Sequence, residues 1–161
     1  MKKIISRLLV FFIGLPLIIT FVWFNQLNHL LLNILVFIIT ILAVLESYQI
    51  FNVNLKLQPK PLIIVLSLIV PITSFICAIF SFSFDYVTIA LIIAILLSFV
   101  YEIFLPGADT GGLFEYSSAR VANTSMILFY TGFLFSFVTR MTTWENSKWF
   151  LILYLLMVFG C

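Results

Sequence analysis

The chain has 161 residues, is 64% hydrophobic and only 9% charged, and carries a formal net charge of +2. Ordinary soluble domains hold roughly 25% charged residues, and nineteen phenylalanines are too many for one soluble core of this length. The composition therefore predicts an integral membrane protein and excludes a nucleic-acid surface, for which the basic residues are too few and too scattered.

The predicted elements form an all-α, polytopic bundle of about six membrane-spanning helices. Lys2, Lys3 and Arg7 precede an apolar run over residues 8–24. This run is longer than a signal-peptide core and lacks a small-residue cleavage site, so it reads as an uncleaved first span. Pro16 lies within it, where a bundle tolerates a kink. An uncharged link with His29 leads to a second span, residues 30–51. His29 has no second imidazole or cysteine nearby, so it is read as structural and not as a ligand.

A link with Lys56 and Lys60 precedes the third span, residues 62–82, which contains Pro71. Asp85 marks a tight turn into the fourth, residues 86–105. Residues 106–120 are expected to form the longest connector, with Gly107, Gly111 and Gly112 as turn formers. Its PGADTGG stretch lacks the lysine and the strand–helix setting of a phosphate loop, so Asp109 is read as a turn residue.

The fifth span, residues 121–138, carries Ala122, Ser125, Phe129, Gly132, Ser136 and Thr139 at steps of three and four. Gly132 and Ser136 make a small-xxx-small pair suited to close helix packing; a lipid groove is the alternative. A polar hairpin leads to a sixth run, residues 149–161, with Trp144 and Trp149 at its start as interface anchors. Those residues rise about 20 Å against a hydrocarbon core of about 30 Å. The sixth span is thus expected to be incomplete, and the chain to be the N-terminal membrane region of a larger protein. Cys77 and Cys161 form no spacing pattern for a disulfide framework or metal knuckle.

Orientation follows from the basic residues. Lys2, Lys3, Arg7, Lys56, Lys60 and Arg120 fall on one side of the alternating spans, and only Arg140 and Lys148 on the other. The N-terminus is expected in the cytoplasm. Glu46 and Glu102 sit within the spans near that cytoplasmic face, where a carboxylate needs a partner such as Lys56, Lys60 or Arg120. They are read either as anchors or as polar positions near a lipid head-group site, with Arg120 beside them. No nucleophile–base pair, metal cluster or nucleotide fingerprint appears, so no residue is assigned as catalytic, cofactor-binding or metal-binding.

The final quarter, RVANTSMILFYTGFLFSFVTRMTTWENSKWFLILYLLMVFGC, resembles the CDP-diacylglycerol synthase (phosphatidate cytidylyltransferase) family. Tyr130, Gly132 and Arg140 match a tyrosine–x–glycine span ending in a basic turn, and Trp149 to Gly160 match the aliphatic helix that follows. Upstream, AVLESYQIF resembles an early helix with a glutamate among aromatics, Glu46, although Leu45 stands where the family often has tryptophan. The basic start and proline-bearing run from Arg7 to Pro16 fit as well. The family's distinctive aspartates and its glycine-rich basic segment are absent from this sequence, so the resemblance transfers no site residue.

What the resemblance implies is the reaction CTP plus phosphatidate to CDP-diacylglycerol plus pyrophosphate, aided by Mg2+ held by residues other than those of this chain. It also implies phospholipid biosynthesis at a bacterial inner (cytoplasmic) membrane, with membrane lipid as partner, a homo-oligomer surface, and no activity in the fragment alone. The rival expectations are a small transporter or channel component with Glu46 and Glu102 lining a shared polar path, and a structural membrane subunit.

Overall fold

A computed structural model of the protein describes residues 15–23, 29–52, 57–104 and 113–160. These residues are mostly helical, with no strand among them: α1 (Leu15–Trp23), α2 (Leu30–Asn52), α3 (Lys60–Phe80), α4 (Asp85–Phe104), α5 (Leu113–Ile127), a π-helical segment (Leu128–Phe133), α6 (Leu134–Met141) and α7 (Ser147–Gly160). Among the described residues four helices are long and apolar enough to cross a membrane: α2, α3, α4 and, over Ser117–Met141, the continuous rod through α5, the π segment and α6. Six were expected. Within the described residues α1 has nine residues and α7 has 14, short of a 30 Å core. Residues 8–14 of the expected first span, and Cys161 of the expected sixth, lie outside the described residues, as does the PGADTGG stretch with Asp109.

α3 is the hub. Pro59 precedes it and Pro61 occupies its first turn, where a missing N–H costs nothing. It runs unbroken through buried Pro71 and ends on Ser81 in the left-handed region, with the Phe82 N–H closing on the Cys77 carbonyl at 3.0 Å. One side of α3 packs on α4 through Leu66, Val70, Val87, Leu91 and Ala94, joined by Leu128 of the π segment. Ile63 meets Val44 of α2 and Ile127 of α5. α1 and α7 close against α2 through Val22, Leu32 and Leu151.

The rod lies against α3 at its π segment. A β-carbon built on Gly132 would sit 2.9 Å from the Ser67 carbonyl oxygen, so only glycine allows this approach. Thr131 reaches the Ser67 hydroxyl at 3.4 Å, and the Ser74 hydroxyl donates to the Ser136 carbonyl at 3.2 Å. The expected small-residue stripe is thus half realised. Gly132, Ser136 and Thr139 are buried, but Ala122 and Phe129 are exposed, and Val121, Thr124 and Leu128 take their place. The connector expected over residues 106–120 is also shorter, because the helix already begins at Leu113. The stretch LFEYSSAR is too polar to read as a span, yet it contains no glycine or proline to stop a helix.

Candidate functional site

A polar knot lies where the link before α3 meets the end of α4 and the start of the rod. Ser98 and Glu102 are one turn apart on α4, and therefore on one face. Gln58, buried in the link, spends its whole amide on them. Its Nε2 donates to the Ser98 carbonyl at 2.9 Å and to Glu102 Oε2 at 3.1 Å, while its Oε1 accepts from the Ser98 hydroxyl at 2.8 Å. From the rod, Ser117 and Arg120 lie three residues apart and face the same carboxylate. The Ser117 hydroxyl donates to Glu102 Oε1 at 3.1 Å, and Arg120 donates to the same oxygen through Nε at 2.7 Å and through Nη2.

The side chains of Arg120 and Glu102 are 11% and 6% exposed, so this ion pair is largely enclosed by protein. Enclosure removes water from both charges, and only a full set of hydrogen bonds makes that tolerable. The knot supplies the set: both Glu102 oxygens are engaged by donors from two other segments.

The two glutamates singled out by sequence part company here. Glu46 is exposed on α2 and takes no part in the knot. Neither Glu46 nor Glu102 lines the cavity at the other end of the bundle. Of the cations expected as partners, Arg120 takes Glu102, Lys60 sits 5.0 Å over the Tyr48 ring, and Lys56 lies outside the described residues. Gln58, Ser98 and Ser117 were not anticipated. The i, i+4 spacing of Ser98 and Glu102 and the i, i+3 spacing of Ser117 and Arg120 were the available signals, though neither says which helices meet.

His29 is buried rather than lying free in a link. It adopts φ 55°, its carbonyl accepts from the Asn33 N–H at 3.0 Å and Nδ2 at 3.2 Å, and its Nε2 is 3.3 Å from the Ser147 hydroxyl. Burial first, and then the nearby Lys148 charge, hold its imidazole below the usual histidine range, against a Val22 carbonyl that acts the other way.

Magnesium fits none of this. Among the described residues no three histidine, cysteine or acidic side chains gather to hold a metal. Glu102 is already saturated by protein donors, and Asp85 accepts from the Ser83 hydroxyl at 2.7 Å in the turn that opens α4.

The sequence matches the profile of the cytidylyltransferase family over residues 5–161. Neither the curated proteins nor the solved structures yield a match.

Proposed function

Because this chain belongs to the cytidylyltransferase family, we propose that it serves a phosphatidate cytidylyltransferase, which joins CTP and phosphatidate to give CDP-diacylglycerol and pyrophosphate. The observation that carries this reading is the extent of the match, which takes in nearly the whole chain and not one motif within it. Apolar helices long enough to cross a bilayer suit an acceptor that never leaves the membrane. In the proposal the N-terminus is cytoplasmic, in a bacterial inner membrane, so the knot around Glu102 lies at the face where CTP is found.

Glu102 and Arg120 act there as an anchor. Every oxygen of the carboxylate is engaged by protein donors, which leaves it a poor base and a poor metal ligand, but a strong tie between α4 and the rod. The magnesium that such a transfer uses would be held by carboxylates outside the described residues, and the 161-residue chain alone would be inactive.

Membranes expressing the reading frame that carries this chain should gain magnesium-dependent conversion of CTP and phosphatidate to CDP-diacylglycerol. The purified 161-residue chain, given the same substrates in detergent, should form none. No gain in the membranes would remove phosphatidate as the acceptor; product from the purified chain would place the reactive carboxylates within these residues.

A further inference from the structure

At the end of the bundle opposite the knot, a cavity of about 770 Å³ opens between the α3–α4 turn and the α6–α7 turn. Its size is that of a small-molecule site. The polar part of its wall includes Ser81, Asn146, Ser147 and Lys148, and Phe82 and Trp149 stand in its wall more than half exposed. No carboxylate lines it. Ser81 and Asn146 both hold left-handed backbone conformations, which turn the chain sharply at the cavity wall.

Two features fix the chemistry of an occupant. Lys148 makes no ion pair with a carboxylate among the described residues; its ammonium lies 6.0 Å from the Trp23 ring centre. It stands in the first turn of the 14-residue α7, where backbone N–H groups add positive potential. The cavity also sits at the ends of two apolar helices that can each cross a bilayer, with exposed tryptophan and phenylalanine around it. That combination belongs to the head-group layer of a membrane.

We propose that this cavity binds the phosphate of an anionic phospholipid from the leaflet at this end, with Lys148 as the charge partner and Phe82 and Trp149 against the start of the acyl chains. A roughly 20-residue helix separates it from the knot by about 30 Å, so it is not a position from which a bound lipid reaches that end of the bundle. The site is therefore a lipid contact additional to the proposed reaction.

All three tryptophans, Trp23, Trp144 and Trp149, lie at this end, so native fluorescence reports on it selectively. The chain is reconstituted in phosphatidylcholine vesicles containing brominated phosphatidylglycerol or, separately, brominated phosphatidylcholine. The expected result is a roughly threefold preference for quenching by the anionic lipid, the size that one partly exposed charge contact confers. Lys148→Met should abolish the preference, whereas Lys148→Arg and Arg140→Met should keep it. Equal quenching by both lipids in the unmodified chain overturns the proposal, as does a preference that persists in a Lys148→Met chain of unchanged helicity. Relief of the anionic quenching by inorganic phosphate would assign the cavity to a soluble anion and overturn the lipid assignment.

Discussion

A glutamate two residues from the C-terminal end of a helix faces the negative end of the helix dipole, so Glu102 is poorly placed unless a cation answers it. Arg120 does so from the rod, and the pair is enclosed enough that removing one partner strands the other. Glu102→Gln should destabilise the bundle by roughly 3–5 kcal/mol, and Glu102→Gln with Arg120→Met should recover part of that loss, as thermal unfolding in detergent would show. A double variant no more stable than the single one would mean that the ion pair does not carry the knot. His29 offers a second residue-level prediction. Its imidazole is held below the reference value of 6.5, first by burial and then by Lys148. The unfolded chain therefore binds the proton more readily, so this contribution to stability is complete above pH 6.5 and is lost as the pH falls below it. The unfolding midpoint should drop on acidification through that window, and His29→Gln should flatten the drop. Of these features, sequence marks Glu102 because a charge inside an apolar run is rare and Arg120 as a cation at the mouth of the next run, but Gln58 and Ser98 look like ordinary polar residues until the helices are placed.

Hydropathy alone locates the apolar parts of α2, α3, α4 and the rod, because runs of this length have few other uses. It does not show where a helix outlives its apolar run, so the start of the rod at Leu113 has the sequence of a connector. Nor does it show a change of helical pitch. A stripe stepped at three and four drifts ahead of the true repeat, and the wider π turn at Leu128–Phe133 enlarges the offset. Upstream of Gly132 the buried face therefore passes through Leu128, Thr124 and Val121, one residue before Phe129, Ser125 and Ala122. The π segment sits where the rod makes its closest approach to α3, with Gly132 against the Ser67 carbonyl and Thr131 beside the Ser67 hydroxyl. Because the obstructing atom is backbone, a rotamer change gives no relief. Gly132→Ala should cost about 1–3 kcal/mol, whereas Ala122→Ser, on the exposed side of the same rod, should change stability by less than about 0.5 kcal/mol. Comparable unfolding midpoints for the two variants would show that the approach at Gly132 is not tight.

At the scale of the molecule, the contacts sort the connectors into two groups. Gln58 joins the end of α4 and the start of the rod, while the α3–α4 turn joins the α6–α7 turn around the cavity, with His29 at Ser147 on the same end. Helices that cross in alternation must gather their connectors in this way, so the bundle has the threading that its apolar runs imply. The distribution of charge then gives the threading a sign. Lys60 and Arg120 lie at the knot end and Arg140 and Lys148 at the other, and the alternation of spans read from the sequence assigns Lys2, Lys3, Arg7 and Lys56 to the side of the knot. In the proposed orientation, which retains positive residues on the cytoplasmic side, the knot faces inward and the cavity outward. In a chain whose native cysteines are replaced by Cys77→Ala and Cys161→Ala, two exposed positions read this directly: Asn146 beside the cavity and Ser118 beside the knot. Asn146→Cys should react with a membrane-impermeant maleimide in intact cells, and Ser118→Cys only after the membrane is opened. The reverse pattern would put the knot on the far side from CTP and remove the cytoplasmic setting on which the proposed reaction rests. Equal labelling of both positions in intact cells would show that the two connector groups do not lie across a membrane from each other.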